Sequence, residues 1–175
     1  RALPGEELKV VTSFSRAFGQ INAAVEARGG MLKKVTYHLS GSDIVIYFGV
    51  PTAHTNDPVR AAQAALAIRK IILDIKAPTV GNIQPEISCQ IGIASGPCFV
   101  AEIGELRGRR EFNVLGDTVN TTARLMDRAA KNQILVSARI YEAIAPYFEC
   151  LELEPVSLKG KSAPVPIFEL VKSKE

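Results

Sequence analysis

In the stretch "EFNVLGDTVNTTARL" (111–125), Asn120 and Arg124 stand four residues apart. On a helix that spacing sends both side chains from one face toward one spot. The run ahead of them is strand-like and ends in Gly116-Asp117, a tight turn opening a helix. A strand, a turn, a helix N-terminus and a projecting guanidinium suit the holding of a phosphate. They suit equally well an ordinary piece of α/β packing whose polar stripe is merely solvated. A second cation, Lys161, sits in "LKGKSAP". Taken alone it is a turn lysine, and "GKS" is no P-loop, because Pro155 stands where the earlier glycine is required.

Other chemistries are excluded by what the chain lacks. Its two histidines, His38 and His54, form no HExxH and no zinc constellation, and no GxSxG elbow is present. Cys89, Cys98 and Cys150 lie far apart without a CxxC, and an odd number cannot pair fully within one chain, so reduced and mostly buried thiols are expected. Net charge is only +3, which announces no broad polyanion-binding surface. The basic cluster Arg107, Arg109 and Arg110 has no interleaved aromatic residues and reads as a solvated loop, so no nucleic-acid partner is expected. The longest apolar runs, such as "IVIYFGV", fall far short of the ~20 residues needed to cross a bilayer. With no signal peptide read ahead of them, the expectation is a cytoplasmic domain without membrane contact, in which the Asn120-Thr121-Thr122 sequon stays unused.

The elements that must position Asn120 and Arg124 follow from periodicity. At 175 residues, with 47% hydrophobic and 22% charged residues, the chain fits one globular domain over 1–175. "PGEELKVVTSFSRAFGQINAAVEARGG" carries apolar residues at helical spacing (Leu8, Val11, Phe14, Phe18, Ile21, Val25) and ends in glycines, which predicts an amphipathic helix. "MLKKVTYHL" and "DIVIYFGV", parted by "SGS", read as a hairpin. "DPVRAAQAALAIRKIILDIK" is a second long helix, with Asp57 as cap and Pro58 at its first position. "EISCQIGIAS" and "CFVAEIG" form a strand pair turned at Gly96-Pro97. After the helix of Asn120 come a short strand "QILVS", a helix "ARIYEAIAP" and a last strand pair around "FECLELE" and "VPIFELV". The order is that of an α+β, ferredoxin-like βαββαβ sandwich with C-terminal additions and without its first strand. A sheet missing a central strand would expose apolar surface, so the expectation is an N-terminally truncated domain whose natural chain continues ahead of Arg1.

With these elements in place the sequence resembles the class III nucleotidyl cyclase catalytic domain, the adenylate and guanylate cyclase family. The likeness runs over nearly the whole chain. It rests on "YFGVP" followed by "HTNDPVRAAQAALAIR", on "IGIASGPCFVAEIG", on "EFNVLGDTVNTTARL" and on "LKGKSAPVPIFEL", in the family's order and with compatible spacing. The resemblance implies a dimer with a second cyclase domain, identical or different, that binds ATP or GTP at the subunit interface. There, two metal ions, Mg²⁺ or Mn²⁺, held by two aspartates promote attack of the ribose 3′-OH on the α-phosphate, giving cyclic nucleotide and pyrophosphate. By the same resemblance Asn120 orients the ribose, Arg124 stabilises charge on the α-phosphate in the transition state, and Lys161, with Lys159 as a lesser substitute, reaches the triphosphate.

Two features depart from the family pattern. One metal aspartate belongs to the strand ahead of Arg1, and the other position holds Ser42, with Asp43 one residue late. On a strand a shift of one turns a side chain to the other face, so Asp43 serves as a ligand only if a bulge or a looser turn re-aims it, and otherwise is an exposed hairpin residue. The metal ligands are thus expected from a partner domain or an upstream segment. The base-recognition positions hold His38 and Asn113, both able to hydrogen-bond a purine edge, while the long stretch between Gly30 and Gly41 would let Lys33 or Lys34 shift into place. Gly41-Ser42 in place of Gly-Asp resembles the half of a heterodimeric cyclase that supplies asparagine, arginine and lysine to a partner's metals. The alternative is a non-catalytic cyclase-homology module for dimerisation or nucleotide sensing in a larger signalling protein.

Overall fold

The computed structural model describes residues 4–38, 41–48, 55–74, 88–94, 98–104, 117–158 and 162–174, with the backbone alone for 4–15, 33–38, 41–42, 98–104 and 117–120. Its elements run α1 (Pro4–Ala27), β1 (Met31–His38), β2 (Gly41–Tyr47), α2 (Asp57–Asp74), β3 (Ser88–Ala94), β4 (Cys98–Gly104), α3 (Asp117–Arg128), β5 (Gln133–Ser137), α4 (Ala138–Ile144), β6 (Phe148–Glu152) and β7 (Ile167–Ser173). The helices and strands expected within the described residues are present, while the strand-like run ahead of Asp117 and the Gly96-Pro97 turn lie outside them. The first hydrogen bond of α2 runs from the Arg60 N–H to the Asn56 carbonyl at 3.0 Å, which puts the cap one residue ahead of Asp57.

All the strands join one sheet in the order β1-β2-β4-β3-β5-β7-β6. The split βαβ plan reserves the place between its third and fourth strands, here β2 and β3, for the strand that comes first. In this chain β4 occupies that place, antiparallel to β2 from Gly41↔Gly104 to Tyr47↔Cys98 and to β3 from Ser88↔Gly104 to Ala94↔Cys98. β4 thus stands between β2 and β3 and pairs with both. β5 then pairs parallel to β3, and β7 and β6 extend the sheet antiparallel.

Alternation along the strands sorts two cores. Ile44, Ile46 and Phe48 of the β2 stretch and Cys89, Ile91 and Ile93 of β3 face α1, α2 and α4, whose Ile21, Val25, Ile68, Ile72, Ile140 and Ile144 close over them. The opposite face carries α3. There Val45 meets Ala123 and Met126, and Ala94, Leu135 and Ile167 meet Leu125 and Ala129. β3 is buried along its whole length, since a helix covers each face. Two side chains fasten the layers: the Arg69 guanidinium donates to the Val171 carbonyl at 2.6 Å, and Tyr141 stacks on Phe168 with ring centroids 4.0 Å apart.

Candidate functional site

Helix α3 is the element on which the site depends, and the sheet fixes it tightly. Gly92 of β3 lies directly beneath it: a Cβ at that position would stand 2.5 Å from the Thr122 carbonyl oxygen and 2.6 Å from the Met126 nitrogen. Only a residue without a side chain lets the helix backbone come so close. At the C-terminal end of the helix the buried Gln90 amide donates to the Ala129 carbonyl at 2.6 Å. Asn132, in the left-handed region at φ 61°, then turns the chain. Its N–H donates to the Cys89 carbonyl at 2.7 Å and its side chain accepts from the Cys89 N–H at 3.1 Å, so an asparagine continues the β3–β5 ladder into the turn.

Among the described side chains of this helix and its exit, Thr122, Ala123, Leu125, Met126 and Ala129 are buried. Arg124 falls opposite the centre of that stripe and is half-buried, on the side away from the sheet. Position 120 lies one turn earlier on the same side, where the four-residue spacing put it. Arg128, one turn later, is exposed and donates to the Ser157 carbonyl at 3.1 Å.

His38 does not join them. Its register row is His38↔Gly41↔Gly104↔Ser88, at the end of the sheet where α3 finishes, since Gln90 and Cys89 contact Ala129 and Asn132. α3 crosses Gly92 at Thr122–Met126 and therefore starts toward the other end, by Ala94 and Cys98. From Ser88 to Ala94 a strand advances about 20 Å. Ser42, next to Gly41, belongs to the His38 end. Asn113, Lys159 and Lys161 lie outside the described residues, and the side chains of His38 and Asn120 are likewise not described.

Asp43 departs from the exposed hairpin residue expected of it: it is only 3% exposed. The β2 register with β4 runs unbroken from Gly41 to Tyr47, so no bulge re-aims it, and it keeps the face of Val45, beneath α3. It lies in register with Glu102 and with Thr36. The irregularity in this hairpin is on β1, between Leu32 and Lys34, where the bulge takes up Lys33. Among the described residues no group of three or more His, Cys, Asp or Glu side chains converges to hold a metal ion. Cys89 and Cys150 are free thiols, the first buried and the second half-buried, as their spacing predicts. No helix among the described residues is long and apolar enough to cross a membrane.

Residues 6–170 match the family model described as the adenylate and guanylate cyclase catalytic domain. The chain belongs to this family. Among curated relatives, adenylate cyclase 1 of Rhizobium meliloti is 25% identical over 165 residues, covering 93% of this chain and 24% of that protein. The human guanylate cyclase soluble subunit beta-2 is 29% identical over 122 residues, covering 69% of this chain and 19% of that one. The chain thus spans about a quarter or less of the length of these relatives. Among solved structures, the catalytic core of a rhodopsin-guanylyl cyclase with converted specificity, in complex with ATPalphaS, superposes with a TM-score of 0.72 at 18% identity. That match covers 99% of this chain and 87% of the other, and it establishes the cyclase fold. Within this cyclase domain, sequence reasoning missed the burial of Asp43 and the Arg128 contact. The first had a signal, an acid inside an alternating strand; the second joins residues 29 apart and had none.

Proposed function

We propose that this cyclase domain converts ATP or GTP to cyclic nucleotide and pyrophosphate as one half of a dimer. It supplies Asn120 to the ribose, Arg124 to the α-phosphate and Lys161 to the triphosphate, while a second cyclase domain supplies the metal-bearing aspartates. The family match supports the reaction, and relatives that include an adenylate and a guanylate cyclase leave both nucleotides as candidates.

The observation that carries the two-chain arrangement is the separation within one chain. Arg124 and position 120 lie on the outer side of a helix whose start is at one end of the sheet, while Ser42 and His38 are at the other. A nucleotide that must touch both groups needs them from different chains, one contributing its helix and the other its hairpin. In such a site the chain's own work is positioning and charge neutralisation, both strongest when water is excluded between subunits. The guanidinium of Arg124 meets charge that develops on the non-bridging oxygens, and the amide of Asn120 holds the sugar so that its 3′-oxygen faces the phosphorus. Asn113 contributes base recognition in this site, while His38, at the hairpin end, would face the opposite one.

Cyclase activity with ATP and with GTP, under Mg²⁺ and under Mn²⁺, tests this for the chain alone and mixed with a cyclase domain bearing both aspartates. Arg124→Ala is expected to lower turnover about 10²- to 10³-fold, the scale of removing one transition-state donor, with little change in KM. Asn120→Ala acts in the same direction. Product unaffected by Arg124→Ala would remove the role assigned to it, and no product in any combination would favour the non-catalytic module. One observation favours that second reading: Ser42 replaces a carboxylate at the family's metal position.

A further inference from the structure

Helix α2 packs on the sheet face opposite α3, and its side chains border an open groove of about 420 Å³. Leu66 and Ala67 of α2, both half-buried, and the Phe148 ring at the start of β6 form its apolar floor. Gln63 and Lys70 border it from one turn to either side on the same face of α2, and Arg28 does so from just beyond the end of α1. The volume falls in the range of small-molecule sites, ~300 to 1,000 Å³.

Among the described residues, both charged side chains that line the groove are cationic. Arg28 is half-buried, and its Nη1 donates to the Ala24 carbonyl at 3.1 Å, the contact of a basic residue at a helix C-terminus. A guanidinium carries five donors in a rigid fork, so that one bond fixes the plane in which the others are offered. The Lys70 ammonium lies 3.4 Å from the Asp74 carboxylate, both exposed, a pair that contributes little in solvent. Asp74 therefore offsets part of the Lys70 charge and leaves Arg28 as the principal one. A single guanidinium fork beside an apolar floor is complementary to one carboxylate that carries an apolar body.

We propose that this groove binds a small amphiphilic monocarboxylate. Arg28 forks the carboxylate with Lys70 beside it, and the apolar body lies on Leu66, Ala67 and Phe148. The groove and the Asn120–Arg124 helix are on opposite faces of the sheet, so the ligand is a molecule other than the nucleotide.

The probe is octanoate, titrated into the full chain and followed by calorimetry and by the NMR shifts of the Leu66 and Ala67 methyl groups. Acetate supplies the head without the body, and octyltrimethylammonium the body with the opposite charge. Octanoate is expected to bind at least about tenfold more tightly than either, the scale of one charge-assisted hydrogen bond. Arg28→Ala should weaken it by about the same factor. Because Arg28 also caps α1, two variants on α2 make the test independent of folding. Lys70→Glu, at an exposed position, should weaken octanoate and strengthen octyltrimethylammonium. Ala67→Trp, which fills the groove, should abolish octanoate binding while the melting temperature stays near that of wild type. Arg124→Ala should bind octanoate like wild type. The proposal is overturned if octanoate does not saturate, if octyltrimethylammonium binds as tightly, or if Lys70→Glu and Ala67→Trp both bind octanoate like wild type. It is overturned too if Arg124→Ala loses octanoate, which would put the ligand at α3.

Discussion

At the scale of single residues, the spacing put Arg124 on the helix side away from the sheet, where it lies, and left Asp43 exposed, which it is not, for one physical reason. The four-residue interval from Asn120 to Arg124 is a local property of a helix, and so are the apolar positions that turn the other side of that helix inward. Whether an acid near a hairpin is buried depends on what packs over it, and α3 arrives over β2 from more than seventy residues downstream. Cys89 shows another effect of the same packing. It is 1% exposed beneath α2, and burial pushes its thiol up to about 12, with the Arg69 charge pulling weakly the other way. The folded chain therefore keeps a proton that the unfolded chain releases near pH 9, so this group costs no stability below that pH. As pH rises from about 9 toward 12, stability falls by up to about 1.4 kcal/mol per unit. Cys150, which is raised by burial too, adds to the slope in the same direction. Melting curves between pH 8 and pH 11 should therefore decline less steeply for Cys89→Ala than for wild type. The variant should start lower by about 1 kcal/mol, a typical cost for a substitution in a packed site. Parallel curves would show that Cys89 does not titrate with folding.

At the scale of elements, the order of helices and strands was legible because amphipathic period, proline, glycine and turn chemistry are written locally. The place of β4 was not. Its sequence reads as a strand hairpinned to β3, which is correct, but nothing in "CFVAEIG" says that its other edge will take β2. That pairing is a long-range choice among free edges, settled by which arrangement leaves fewest unpaired N–H and C=O groups. β3 itself is interior, between β4 and β5 and buried along its length, and offers α3 a close platform at Gly92. Gly92→Ala tests how much of the site depends on that closeness. Its methyl group would meet helix backbone, not a movable side chain, so α3 must lift. The expected loss of stability is about 1 to 3 kcal/mol, the usual cost of overpacking. Because lifting α3 displaces Arg124, kcat should fall by more than the fraction of unfolded protein explains. Thermal melts beside cyclase rates at a temperature well below the transition separate the two effects, and a stable variant with full turnover would show that α3 tolerates displacement.

At the scale of the whole molecule, the strands' register makes the chain two-ended. One end of the sheet holds the β1–β2 hairpin with His38, Ser42 and the buried Asp43, and the start of α3 lies toward the other. Ser42 belongs to the first end. On the proposed function, a chain with serine there lends its helix to a partner domain and acts as half of an enzyme. Two-fold pairing of cyclase domains would form two crevices, each built from the helix of one chain and the hairpin of the other. In a mixed dimer, one crevice would join this chain's Asn120 and Arg124 to the partner's aspartates, and the opposite crevice would be lacking. Complementation tests this directly. A second cyclase domain that carries both metal aspartates, but has alanine in place of its own helix arginine, is nearly inactive with itself. Adding this chain should raise its turnover about 10²- to 10³-fold, the value of one restored transition-state donor, in a manner that saturates with chain concentration. The same titration with Arg124→Ala should give no rescue, because both crevices then lack the guanidinium. If wild type and Arg124→Ala rescue equally, or neither does at any ratio, this chain does not supply the missing half.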